Sequence, residues 1–178
     1  VNENASLDAN NASSTGVLAN DDDNAAYDSE SLAVTSISSN STGNSGNATQ
    51  GVLGTYGTLT VAADGTYTYT ANTAAAEALD AGDSETDVFT YTVKDDDDVN
   101  SSTATLTITV NGTDNDPIGN NDTGAVKEDA QISISAGSGV LSNDTDADAS
   151  SSLTVSAISG GTVGQSLAGD HGTLTLAS

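Results

Sequence analysis

The chain has no cysteine, no arginine and only two lysines among its 178 residues. Without cysteine, no disulfide can hold a small core together, so packing or a bound ion must do that work. With 26 acidic residues against those two lysines, the formal charge is −24. A chain this acidic repels nucleic acid and anionic lipid, which removes both as partners. It also repels itself, so the compact state favours a neutralising divalent cation. No apolar run approaches the roughly 20 residues of a membrane span, and no membrane insertion is expected. Aromatics reach only 3%, and by composition alone the chain falls close to the disordered class. The opening Val1-Asn2-Glu3 starts inside a motif, so the chain reads as a piece of something longer.

What is present contradicts disorder. The apolar residues sit in short alternating runs: Gly65–Thr70, Val88–Val93 and Ala104–Val110 each alternate with period two. Tyr, Phe, Leu, Ile and Val fall on one face and threonine on the other, as in antiparallel strands with one buried and one wet face. Asp64-Gly65 supplies a hairpin turn into the first of these runs. Thr73 to Leu79 is alanine-rich and reads as a single helical turn. The remainder is Gly, Ser, Asn and Asp connection, and several short strands with turns between them predict a sandwich.

The chain also repeats itself. Val1-Asn2-Glu3-Asn4-Ala5 recurs as Val126-Lys127-Glu128-Asp129-Ala130, and Gly16-Val17-Leu18-Ala19-Asn20-Asp21 as Gly139-Val140-Leu141-Ser142-Asn143-Asp144. Leu32–Ser38 matches Leu153–Ser159, and Gly57–Val61 matches Gly172–Leu176, at offsets falling from 125 to 115 residues. Four blocks in one order mean tandem homologous domains. Pro117, the only proline, marks the boundary. Residues 1–116 read as one near-complete repeat and 117–178 as the first half of a second, incomplete one, with no equivalents of the 88–93 and 104–110 strands.

Acid is concentrated in a few places. Asp21, Asp22 and Asp23 follow the Gly-Val-Leu block, and their counterparts are Asp144, Asp146 and Asp148, spaced two apart. Asp95, Asp96, Asp97 and Asp98 lie between two strong strands, Asp114-Asn115-Asp116 forms the linker, and Glu3 and Glu128 open the two repeats. Calcium takes six to eight oxygens from carboxylates, amides, carbonyls and water, and alternate aspartates in a loop can face one ion. The competing reading is solvated, solubilising turns. Recurrence of one cluster in both repeats favours binding. The candidate ligands are therefore Glu3, Asp21, Asp23, Asp95, Asp97, Asp114, Asn115, Asp116, Glu128, Asp144, Asp146 and Asp148. The aspartate triad lacks the glycine and glutamate of an EF-hand loop and is not that motif.

These residues resemble a known family. Val-x-Glu-Asn/Asp, an Asp-x-Asp after a β-run, Tyr91-Thr92-Val93-Lys94-Asp95, the Ser101–Val110 strand and Asp114-Asn115-Asp116-Pro117 resemble a cadherin-type repeat. Gly57–Val61, then Asp64-Gly65-Thr66-Tyr67-Thr68-Tyr69, then Phe89–Val93 are closer still to the bacterial cadherin-like VCBS repeats. Those build the extender regions of large repeats-in-toxin (RTX) adhesins. The resemblance implies an all-β, tandem Greek-key β-sandwich of cadherin or immunoglobulin type, with calcium at domain junctions. It implies ligand roles for Glu3, Asp95, Asp114, Asn115, Asp116, Asp144 and Asp146. The linker departs from the full cadherin pattern, and the acidic motif of the cadherin middle segment is absent.

Other signals carry less. His171, the only histidine, sits where the first repeat has Tyr56 and reads as an exposed turn, with no second histidine or cysteine to share a zinc ion. No Gly-x-Ser-x-Gly elbow and no partnering base accompany the many serines, so no enzyme is expected. Asn-x-Ser/Thr triplets at Asn4, Asn47, Asn111 and Asn143 are expected by chance in such a composition. Threonine faces satisfy β-propensity on the solvent side more often than they bind ice or sugar. Two functions follow as expectations. One is an extracellular, calcium-rigidified spacer on a bacterial cell surface, with neighbouring repeats as partners. The other is a fibre subunit whose incomplete second sandwich is completed by a strand from an identical protomer.

Overall fold

In the computed structural model, which describes residues 1–9, 16–21, 31–96 and 101–177, the alternating runs become strands. The strands are β1 (Ser6–Ala9), β2 (Ala33–Ser39), β3 (Ser45–Asn47), β4 (Val52–Leu53), β5 (Thr58–Val61), β6 (Tyr67–Thr70), β7 (Ser84–Lys94) and β8 (Ser101–Asn111), and the runs at 65–70, 88–93 and 104–110 fall on β6, β7 and β8. A second hairpin, β9 (Leu167–Gly169) and β10 (Gly172–Leu174), follows much later. Among the described residues the one α-helix, α1 (Ala74–Glu77), is the alanine-rich turn, started by Thr73, whose hydroxyl accepts from Ala76 N. Among the described residues no helix is long and apolar enough to cross a membrane.

The chain divides into two units, Val1–Asp114 and Asn115–Ser178. The first is an all-β sandwich. One antiparallel sheet has the order β1-β6-β5-β4 and the other β3-β2-β7-β8. Strands adjacent in space are distant in sequence, such as β2 with β7 and β1 with β6, which is Greek-key connectivity. Threonine points outward because the alternating apolar residues are drawn in. Val52, Leu59, Val61 and Tyr69 from one sheet meet Val34, Ile37, Phe89, Ile108 and Val110 from the other, all almost fully buried. The rings of Tyr69 and Phe89 pack edge to face at 6.2 Å, the geometry their quadrupoles favour.

Two local devices set the register. In β2 the pairing with β7 shifts between Val34 and Ser36. The extra residue re-phases the strand, so Val34 and Ile37, three apart, both face the core. At the β5–β6 turn Gly65 has φ +82°, which the turn requires, and a side chain there would meet Leu18. Leu18 is there because Val17 N donates to Gly65 O at 2.8 Å. The Gly-Val-Leu block thus packs onto the hairpin that the Asp64-Gly65 signal predicts.

The second unit is different. It holds the β9–β10 hairpin, a 3₁₀ turn at Ala136–Ser138 and isolated bridges such as Ile118 with Thr145. Leu153–Ser159, the counterpart of β2, is not a strand in the described structure. No apolar residue of this unit is buried, and Ile118, Val126, Ile132, Ile134 and Leu174 are exposed. The pattern for strands is present, but nothing packs against it to favour the extended pairing over water.

Candidate metal-binding site

Strand direction decides which acidic residues can meet. β7 and β8 pair along their whole length, from Ser84 opposite Asn111 to Lys94 opposite Ser101. Ten residue steps along β8 span roughly 33 Å. Asp95, just past β7, and Glu3, bonded beside Asn111, therefore lie at opposite ends of the first sandwich. No single ion can use both.

At the Glu3 end, Glu3 N donates to Asn111 O at 3.1 Å, and Asn2 forms a parallel bridge with Asn111. This places a buried carboxylate, 4% exposed, beside the linker. Thr113 Oγ1 donates to Glu3 Oε1 at 2.7 Å. Asp114 follows and is exposed.

At the other end, the Tyr91 hydroxyl donates to Val17 O at 2.9 Å and lies 3.1 Å from Asp21 Oδ2. Burial first, then the charge and hydrogen bond of Asp21, push the Tyr91 phenol up to about 12. Asp21 and Asp95 line one open cavity of about 310 Å³ with Asn20, Lys94 and Ser101. The lining residues offer carboxylate, amide and hydroxyl oxygens and no sulfur or imidazole, a chemistry that suits a hard cation. Lys94 contributes the one lysine of this unit to the same cavity. Asp23 and Asp97 lie outside the described residues.

Within the second unit the linker folds onto the aspartate triad. Asn115 N and Nδ2 donate to Asp148 Oδ2 and Oδ1 at 3.0 and 3.1 Å. Asn120 N donates to Asp144 Oδ1 at 2.6 Å, and Asp148 N to Asp146 Oδ1 at 3.0 Å. Asp148 is 8% exposed, the one buried side chain among the described residues of this unit. Asp116 and Glu128 are exposed. His171 sits in the exposed β9–β10 turn.

Calcium is the ion these oxygens fit by chemistry. Two buried oxygens, Glu3 Oε2 and Asp95 Oδ1, receive no hydrogen bond among the described residues, although neither residue is without a partner. Among the described residues, however, no three carboxylate or imidazole side chains are gathered closely enough to hold an ion. Each end holds one or two candidates.

The acidic residue buried most deeply among those described was not one of the candidates. Asp87 is fully buried. Its Oδ1 accepts from Thr55 N at 2.8 Å, and its Oδ2 from Tyr56 N at 3.0 Å, Gly57 N at 3.2 Å and the Tyr69 hydroxyl at 2.7 Å. Three successive amides close around one carboxylate, and Gly54 and Gly57 leave room for that approach. The signal was legible. Asp87 stands in phase with Phe89, Tyr91 and Val93, so an aspartate occupies an inward position. Its oxygens are already committed to four donors, which makes it a structural clamp. Burial and the Asp87 contact raise the Tyr69 phenol far above its ordinary value.

The profile of the bacterial cadherin-like domain matches residues 1–112. No curated protein matches the chain significantly.

Proposed function

Because the chain belongs to the bacterial cadherin-like domain family, we propose that it is a calcium-rigidified spacer of a bacterial cell-surface adhesin, of the VCBS extender kind found in RTX adhesins. Domains of this family are structural and non-enzymatic, generally bind calcium, and fit an extracellular module. The observation that carries the finer reading is the polarity of the acid. In the first sandwich the candidate ligands fall at its two ends, Glu3 with Asp114 at one and Asp21 with Asp95 at the other. An ion bound within one fold would need its ligands together. Split across the ends, each group is an incomplete set among the described residues, of the kind that a neighbouring repeat would complete.

Calcium at such a junction neutralises like charges that would otherwise repel, and removes hinge freedom between repeats. Small-angle scattering of the full chain with calcium and with excess chelator tests this. The maximum dimension should become better defined with calcium and broaden on chelation. Identical profiles under both conditions would refute the spacer mechanism.

A further inference from the structure

One flank of the first sandwich ends in a long strand edge. β8 is 11 residues long and closes its sheet, with β7 on one side. Backbone phase shows which of its groups face outward. Asn111 N donates to Val1 O, Glu3 N donates to Asn111 O, and Val1 N donates to Thr109 O. In an antiparallel ladder the N–H and C=O of one residue point the same way, and alternate residues agree. The unbroken register with β7 therefore turns the N–H and C=O of Thr107, Thr105 and Thr103 to that same outer side. Among the described residues these groups have no backbone partner. An open cavity of about 490 Å³ lies against Thr103–Leu106.

Edges of this kind are normally blunted by shortness, lysine, proline or a bulge. The other edge strands of this unit, β1, β3 and β4, are four, three and two residues long. β8 has none of these devices. Ser101–Asn111 contains no charged residue, no proline and no glycine, and its pairing with β7 has no register shift.

We propose that the β8 edge is a homodimer interface, at which two copies of this chain pair antiparallel about a two-fold axis through Thr105. This goes beyond the spacer reading, since it joins copies side by side and needs no ion. In that register the strand is complementary to itself. Thr103 falls opposite the partner's Thr107, and Thr105 opposite the partner's Thr105, pairs that are favourable across strands. Ala104 falls opposite the partner's Leu106, small against large, and both are half-buried at the flank of the core. Each copy donates three N–H groups to three carbonyls of the other, as an added strand does.

Charge sets where copies can meet and under what conditions. At a formal −24 they repel wherever acid faces acid, and the uncharged strip of β8 is free of that cost. Asp95 and Asp114 beside it still oppose contact, and salt shortens their reach from about 30 Å at 0.01 M to about 3 Å at 1 M. A pairing this narrow buries less than the roughly 800 Å² per partner of a standard interface, so the dimer is weak and promoted by salt. A basic strand from another protein, the alternative occupant, would bind less tightly as salt rises.

Sedimentation equilibrium of the full chain in excess chelator, at about 0.01 M and about 1 M NaCl, tests this. The average mass should rise with concentration towards that of two chains, and should do so at lower concentration in the higher salt. Introduced cysteine reads the register, since the chain has none of its own. Thr105→Cys lies on the axis, so a short thiol cross-linker should join two copies at least about tenfold faster than it joins Ser101→Cys. The two Ser101 positions lie about eight residue steps, roughly 27 Å, apart in this pairing. Thr105→Pro removes an N–H that faces away from β7, so the urea midpoint should hold while the dimer is lost. A monomer at every concentration and salt overturns the proposal. So does equal cross-linking of the two cysteine variants, association that weakens with salt, or a folded Thr105→Pro that still dimerises.

Discussion

Replacing Asp87 by Asn in the first unit changes one atom and should remove much of that unit's stability. Asp87 accepts four hydrogen bonds in a fully buried position. Asn keeps one acceptor oxygen, and its best orientation leaves that oxygen facing Tyr56 N, Gly57 N and the Tyr69 hydroxyl. The amide nitrogen then faces Thr55 N, donor against donor. A buried donor without an acceptor costs about 1–3 kcal/mol, and bonds to a charged acceptor contribute about 1 kcal/mol more each than neutral ones. Relief from burying a charge offsets part of this. The net is about 3–5 kcal/mol, a large fraction of the 5–15 kcal/mol typical of a domain. Tyr69→Phe, which deletes one of the four bonds, should cost about 1.5–3 kcal/mol. Urea unfolding of the full chain, followed by circular dichroism in excess chelator, measures both. At an m-value of about 1.5 kcal/mol/M the Asp87→Asn midpoint should fall by about 2–3 M. A fall under about 0.5 M, or a Tyr69→Phe loss equal to that of Asp87→Asn, would refute the clamp.

Three further outcomes follow from the same geometry. A Cβ at Gly57 would overlap Thr70 O and the Tyr69 ring, so Gly57→Ala should destabilise by about 2–3 kcal/mol in the same assay, whereas Gly119→Ala, with open space around it, should change little. The raised Tyr69 phenol keeps its proton in the fold after an unfolded tyrosine has lost it near 10.0. The unfolded chain then binds fewer protons, so stability must fall as pH rises past 10, which urea midpoints from pH 8 to 11.5 would show, with a smaller fall in Tyr69→Phe. Asp148→Ala removes the two carboxylate oxygens that accept from Asn115 N and Nδ2, and exchange of the Asn115 amide should rise about tenfold.

β6, β7 and β8 were legible because those runs alternate strictly, and burial of one face leaves a single workable register. The Gly65 turn and the alanine-rich helical turn after Thr73 were legible for a similarly local reason, since their chemistry lies within a few residues. The bulge at Thr35 was not. A seven-residue segment carrying Val34 and Ile37 breaks period two, and only the pairing with β7 shows why both point inward. The second unit marks the limit of pattern reading. Leu153–Ser159 repeats the β2 pattern without becoming a strand, because a strand's stability comes from the neighbours that cover it.

Acid in this chain is sorted by phase. Asp87 falls on the inward phase of a strand and is consumed by three amides and a phenol, so it has no oxygen to offer an ion. Asp95 falls just past the end of β7 and Asp21 just after the turn at residues 16–20, and both line an open cavity. Composition counts all three alike. Strand phase separates the carboxylate that builds the sandwich from those that the proposed spacer reading places at the junctions, and it requires the two to be independent. Chelation should therefore loosen the junctions while leaving the Asp87→Asn loss in urea unchanged. If chelator erased that loss, the clamp and the ion sites would have to be one system, and the division of labour argued from phase would be wrong.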